Sequence, residues 1–272
     1  MMDLQALIFD VDGTLADTEE AHRQSFNRAF EAHGLDWHWT RPRYAELLGV
    51  SGGRERIRLH LDSLALDANR KAALAARIDD IHRTKVEAYR ALVESGGVPL
   101  RIGTRRLIEE ALAEGLKLAV ATTGTAAGVE ALLERALGKE TVRGFAAIAA
   151  GDVVGRRKPA PDVYHYVLQR LDVAPGACVA FEDSANGVRA AHAAGIFVVA
   201  TPSFWTLDQD FSEADLFLPS LGDPQQPLPV AIAAHRTGGM PFVNVALLRR
   251  LLAARGGGNP DASARLKADA FR

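Results

Sequence analysis

The apolar run Ala6-Leu7-Ile8-Phe9 ends at Asp10-Val11-Asp12-Gly13, and the next run of that kind does not begin until Leu116. A continuous apolar stretch closed by turn residues reads as a strand buried on both faces of a parallel sheet. A strand so buried needs neighbours, so the long interval that follows must leave the sheet and return to it. From about Thr18 to Tyr89 the interval is rich in Ala, Leu, Arg and Glu at helical spacing, broken at Gly34 and at Ser51-Gly52-Gly53. The pattern predicts roughly four or five helices inserted after the first strand.

Past Gly96-Gly97-Val98-Pro99 the pattern alternates. Strands are expected at Leu116–Ala121, around Ala146–Ala150, and at Ala177–Phe181, Ile196–Ala200 and Leu216–Leu218. Between them, Thr104 can cap a helix running to Gly115, a second helix ends near Gly138, Pro161 suits the first turn of a third, and a fourth covers Val188–Ala194. Alternating strands and helices predict an α/β fold: a Rossmann-like parallel sheet core with helices on both faces, plus an inserted all-helical cap domain. The expected division is 1–16 and 96–220 for the core, 17–95 for the cap, and 221–272 for a C-terminal extension. In that extension Leu221–Pro227 reads as loop and Val243–Ala254 as a last helix. The stretch from Gly256 to Arg272 reads as poorly ordered. Both ends of the cap return to one place, so it can lie over the carboxyl end of the sheet, where open α/β sheets bind ligands.

Composition narrows the function. The 32 basic and 34 acidic residues leave a net charge of -2, which provides no basic field for nucleic acid or an anionic membrane. Phosphate binding must therefore come from locally placed groups. The lone cysteine, Cys178, excludes an intrachain disulfide and reads as a small core residue. No apolar stretch approaches the roughly 18 residues that span a bilayer, and the N-terminus lacks a signal-peptide pattern. A cytoplasmic monomer acting on a small molecule is expected.

The polar residues at the strand ends carry the chemistry. Asp10 and Asp12, two apart at a strand end, project to the same side and repel unless a cation or proton joins them. Mg2+, which prefers oxygen ligands, suits the pair. Asp10 can then attack phosphorus as a nucleophile, and Asp12 can protonate the leaving oxygen and later deprotonate water. The same Asp-Val-Asp-Gly sequence also describes an ordinary solvated turn. Thr122 and Thr123 follow a strand, where a hydroxyl can bond a phosphoryl oxygen or simply cap a helix. Lys158, before a helix, can neutralise developing charge or belong to an exposed basic loop. Glu182-Asp183 can complete a magnesium shell or cap the next helix. Each signal alone is modest; four of them, each at a strand end, form a set.

That set, Asp10-Val11-Asp12-Gly13-Thr14-Leu15, then Thr122, then Lys158-Pro159, then Phe181-Glu182-Asp183-Ser184, resembles the haloacid dehalogenase superfamily over about residues 4–220. The resemblance implies Asp10 as nucleophile and metal ligand, and Asp12 as general acid/base that lends the metal its backbone carbonyl. It implies Thr122 and Lys158 as phosphoryl-binding groups, and Asp183, with Glu182 nearby, as the rest of the metal site. The segments Gly34-Leu35-Asp36-Trp37, Ser51-Gly52-Gly53-Arg54-Glu55-Arg56, Asp80–Lys85 and Lys158-Pro159-Ala160-Pro161-Asp162 look like the CbbY group, which is similar to β-phosphoglucomutase. That group is associated with removing xylulose 1,5-bisphosphate, an inhibitory by-product of Rubisco. Arg54 stands where that group's pattern has a lysine, and Gly124 where it has a threonine or serine.

A bisphosphate needs a second cationic hold. Arg54, Arg56, His82 and Lys85 are candidates, with backbone amides at Gly52 and Gly53 adding donors. Asp17, His22 and Thr123 complete the expected substrate set. The motifs fit both a sugar-phosphate phosphatase and a sugar-phosphate mutase, because both use Asp10 and Asp12. A phospho-acceptor signalling domain shares the residue types, but it is shorter, lacks a helical insertion, and carries its acceptor Asp on a later strand.

Overall fold

The computed structural model of the protein describes residues 3–151 and 153–256. Six strands form one parallel sheet: β1 (Ala6–Phe9), β2 (Lys117–Ala121), β3 (Phe145–Ala149), β4 (Cys178–Glu182), β5 (Phe197–Ala200) and β6 (Leu216–Phe217). Their order is β3-β2-β1-β4-β5-β6. The strand order reverses between β1 and β4, and that reversal opens a crevice beyond their carboxyl ends. Register fixes what meets there: Phe9 pairs with Val120 on one side and Phe181 on the other, so Asp10, Thr122 and Glu182-Asp183 emerge together.

The period of two along a strand sorts the core into two layers. Leu7, Phe9, Leu118, Val120, Val179, Phe181 and Val199 face one side, where Phe9 stacks on Phe181 at 4.6 Å. There they meet α6 (Thr104–Ala113), α7 (Ala126–Leu137) and α12 (Val245–Gly256). Ala6, Ile8, Ala119, Ala121, Cys178, Ala180 and Val198 face the other, against α9 (Asp162–Leu171) and α10 (Ala185–Ala193). Cys178 is buried there, and desolvation pushes its thiol up to about 12, as suits a core residue.

The insertion forms α1 (Glu19–Ala32), α2 (Arg41–Leu47), α3 (Gly53–Ser63), α4 (Ala68–Ala75) and α5 (Ile78–Glu94). Their shared core holds Phe26, Phe30, Trp39, Tyr44, Ile57 and Ile81. The two linkers that carry this bundle pair with each other: Ala16 bridges Leu100 antiparallel. Helix α5 also reaches back to the sheet's layer through Tyr89 and Val93.

Several local expectations shift. The helix expected to be capped by Thr104 instead starts from Gly103, at φ +83°, with Thr104 fully buried and making no cap bond. A side chain at position 103 would stand 2.2 Å from the Gly222 carbonyl, so the close approach of the C-terminal stretch requires glycine. Helix α10 begins at Ala185, three residues earlier than the apolar pattern suggests, because Ser184 caps it by accepting from the Gly187 N–H. Two short helices, α8 (Lys139–Arg143) and α11 (Val230–Arg236), carry too little apolar periodicity to be read in advance. Helix α12 buries Leu247, Leu248 and Leu252 in the sheet's first layer. The expected poor order of the C-terminus falls on residues 257–272, outside those described.

Candidate active site

Three acidic groups, Asp10, Glu182 and Asp183, each present a carboxylate oxygen within 4.8 Å of the others, and all three are buried. Such a cluster needs a positive charge. Lys158 supplies one from the loop before α9: its Nζ donates to Asp10 Oδ1 (2.7 Å), Glu182 Oε1 (2.6 Å) and the Ala121 carbonyl (2.8 Å). Burial opposes the charge on Lys158, but Asp10 and Glu182 outweigh it and hold the ammonium above its usual range. Burial, only partly offset by Lys158 and reinforced by Glu182 and Asp12, raises Asp10 to about 7. Asp183 is pushed well up, first by burial and then by the neighbouring carboxylates. Its Oδ2 takes the Thr206 hydroxyl at 3.4 Å.

Glu182 shares the Lys158 ammonium with Asp10. Its Oε1 also accepts from the Tyr164 hydroxyl, while its Oε2 is buried without a hydrogen-bond partner. Gly187 lies so close that a Cβ there would stand 1.8 Å from Oε2, which keeps the carboxylate in place. The donor set is all oxygen, buried and over-supplied with negative charge, which fits a hard divalent cation such as Mg2+. Gly13, at φ +78°, supports the fit: a side chain there would meet Asp183 Oδ2 at 2.1 Å, so glycine leaves the carboxylate its position.

The Asp12 carboxylate lies outside that cluster. Its Oδ1 accepts from Thr18 Oγ1 (2.7 Å) and bonds His22 Nε2 (2.8 Å). Lys85 Nζ stands 2.6 Å from His22 Nδ1. An ammonium there donates, so Nδ1 accepts and the Nε2–H is left to donate to Asp12. Burial would raise Asp12, but His22, Thr18 and Lys85 outweigh it and hold the carboxyl below its ordinary range. Burial also lowers Lys85, to about 8, as it sits between the rings of Phe26 and Tyr89. Thr122, at the end of β2, is buried with its Oγ1 accepting the Gly124 N–H at 3.1 Å.

One cavity joins Asp12 and its partners His22 and Lys85 to the rest of the cap. Asp12, His22, Gly52, Gly53, Arg54, Arg56, His82, Lys85 and Thr123 line it, together with Arg157. Arg56 is braced by the Val50 carbonyl (3.0 Å) and the Tyr44 hydroxyl (3.2 Å), and Arg54 pairs with Asp79 at 2.6 Å. Asp17 does not join them: its side chain is 59% exposed and faces Arg101 Nε at 3.7 Å outside the cavity. The sequence pattern missed Thr18, Arg101, Arg157, Tyr164 and Thr206. Arg157 adjoins Lys158, and Tyr164 lies on the helix that Lys158 precedes, so both were within reach of the motif. Nothing in the sequence marks Arg101 or Thr206.

The model of the haloacid dehalogenase-like hydrolases matches residues 4–195. The chain belongs to this family. Within it, the chain is 50% identical over 235 residues to the plasmid-encoded CbbY protein of Cupriavidus necator, covering 86% of this chain and 92% of that one. The structure of CbbY from Rhodobacter sphaeroides with phosphate superposes with a TM-score of 0.73 at 45% identity, covering 80% of this chain and 94% of that one. A mutant of the same protein bound to xylulose 1,5-bisphosphate gives 0.73 at 44% with the same coverage. This haloacid dehalogenase-like chain is accordingly CbbY-like, and it is a phosphatase. Among the described residues no helix is long and apolar enough to cross a membrane.

Proposed function

We propose that the chain is a magnesium-dependent phosphatase of a sugar bisphosphate, xylulose 1,5-bisphosphate, working through a phospho-aspartyl intermediate on Asp10. The observation that carries the reading is the cavity that Asp12 shares with the cap cations Arg54, Arg56 and Lys85, together with the buried acidic cluster of Asp10, Glu182 and Asp183. A xylulose bisphosphate bound to a relative of 44% identity supports the choice of sugar.

In this reading α1–α5, within 17–95, form the cap over the core of 1–16 and 96–220. Asp10, the Asp12 backbone carbonyl and Asp183 would hold Mg2+, with Glu182 nearby. Bound there, Mg2+ supplies Lewis-acid neutralisation of the phosphoryl charge and permits Asp10 to stay ionised beside the other acids. Asp10 attacks phosphorus, and the sugar oxygen leaves. Lys158, which already reaches Asp10 Oδ1, turns one N–H to a phosphoryl oxygen, while Glu182 and Tyr164 keep its stem aimed. Thr122 adds a hydroxyl to the same group. Asp12 passes the leaving oxygen a proton drawn from His22, whose Nε2–H bonds it and whose Nδ1 is resupplied by Lys85, and then takes one from the water that hydrolyses the aspartyl phosphate. The His22–Lys85 relay favours the ionised form suited to that second step. The cap cations hold the distal phosphate.

The test is a phosphate-release screen over sugar mono- and bisphosphates, with Mg2+ and with chelator. Stoichiometric release from xylulose 1,5-bisphosphate, abolished by chelator, is expected. Isomerisation of the sugar phosphate with little release would replace the reading with a mutase. Release from monophosphates only would remove the bisphosphate assignment.

A further inference from the structure

Arg101 follows the second cap linker. Its backbone N–H donates to the Leu15 carbonyl at 2.9 Å, next to the Ala16–Leu100 bridge and the Asp17 N–H bond to Pro99 (3.0 Å). Its side chain is only 11% exposed, yet none of its strong partners is a carboxylate: Asp17 stands 3.7 Å from Nε and is itself open to solvent. Instead the guanidinium spends its donors on backbone carbonyls. Nη1 donates to Gly13 and Thr201, and Nη2 to Pro202 at 2.8 Å and Pro219 at 3.4 Å. Those carbonyls belong to the loops after β1, β5 and β6. A planar fork of donors can satisfy several carbonyls at once, which a lysine's point charge does not reproduce.

Two of the three loops lead to Asp183. Gly13 lies against its Oδ2, close enough that a Cβ would stand 2.1 Å away. The loop that begins at Thr201 turns back at Ser203 and Thr206, and Thr206 donates to the same oxygen. Asp183 is therefore held between two loop segments whose only shared side-chain partner in these bonds is Arg101. We propose that Arg101 is a positioning residue that sets Asp183 for the divalent ion, fixing the Gly13 and Thr201 carbonyls on either side and joining that alignment to the linkers that carry the cap. The inference rests on the magnesium reading of the site. It assigns Arg101 no contact with substrate.

Groups that orient a metal ligand typically change metal affinity about 10–100-fold when removed. The test compares full-length wild type with Arg101→Lys and Arg101→Gln. Mn2+ binding is measured directly by calorimetry without substrate, and melting temperature is measured without metal. Phosphate release is followed against Mg2+ concentration and against sugar phosphate. We expect Arg101→Lys to stay folded and to bind Mn2+ about tenfold more weakly, with a parallel rise in the Mg2+ concentration for half-maximal rate. The KM for sugar phosphate at saturating Mg2+ should move less than about twofold, since Arg101 touches no substrate. If wild type binds Mn2+ and the folded Lys variant binds it as tightly, Arg101 is a loop staple alone and the proposal falls, even if its melting temperature drops. If wild type binds no Mn2+, the magnesium reading falls and takes the proposal with it. Should the Gln variant fail to fold, the Lys variant, which keeps the charge and most of the stem, still decides.

Discussion

At the scale of single residues, Asp10 is in an unusual position. It is a buried acid raised to about 7 by desolvation and by its acidic neighbours, yet Lys158 donates to it directly. An Asp10→Asn variant keeps the shape and the Lys158 contact while removing the nucleophile. Phosphate release should fall by at least about three orders of magnitude, with far-UV circular dichroism unchanged. His82 gives a second residue-level prediction. Burial first, then Lys85, Arg54 and Arg157, lower its imidazole to about 4, and it lies against Gly53 on the cap side of the cavity. The unfolded chain takes up this proton near 6.5, whereas the folded chain refuses it until about 4. Its contribution to stability is therefore complete above about pH 6.5 and is lost as pH falls toward 4. The loss amounts to roughly 3 kcal/mol at most, at about 1.4 kcal/mol per unit. Urea melts at pH 7 and pH 4.5 should show this fall in wild type and a flatter dependence in His82→Gln; equal slopes in both would exclude His82 as the cause.

Elements decide which of these residues can meet. The central strands were legible because they are buried on both faces, so their apolar runs are unbroken, as in Ala6–Phe9 and Cys178–Phe181, whereas edge strand β3 leaves Ile148 exposed. The acids and Thr122 were legible for the same reason: a polar residue closing such a run stands at the carboxyl edge of the sheet. What the sequence hid is held by loops. Trp205 leaves the core loop after β5 to pack edge-on against Tyr44 at 5.5 Å, and Thr206 beside it bonds Asp183, but neither lies in a periodic pattern. Asp17 shows the converse: it belonged to the expected substrate set, and the linker turns it outward. The turn after β1 makes the dependence on backbone testable. Gly13 sits at φ +78° with Asp183 where its side chain would be. Gly13→Ala adds about 1–2 kcal/mol of left-handed strain, too little to unfold the core, but it must displace Asp183. We expect a folded protein whose melting temperature no longer rises with Mg2+ and whose phosphate release drops at least about tenfold; a normal Mg2+-dependent rise would contradict the placement of Asp183.

The whole molecule is two hydrophobic units meeting over one cavity. The cap's own aromatic core is separate from the two layers on the sheet; Tyr89 and Val93 of α5 and the Trp205–Tyr44 contact tie the cap to the core, and polar contacts add to them, Asn186 to the Gly49 carbonyl at 3.1 Å and Arg157 to Glu55 at 3.6 Å. In the proposed reading the same division separates the two ends of a bisphosphate, the reacting phosphate on core residues and the distal one on the cap. Arg54 and Lys85 both line the cavity, but they are unequal probes. Lys85 bonds His22, which bonds Asp12, so its removal disturbs chemistry on any substrate. Arg54 pairs with Asp79 on the neighbouring cap helix. Losing a charge-assisted contact costs about 1.5–3 kcal/mol, or roughly 10–100-fold. Arg54→Ala should therefore raise KM for a sugar bisphosphate at least about tenfold and leave that for a monophosphate within about twofold, with kcat little changed on both. An equal rise for both substrates would mean that the cap does not read the second phosphate.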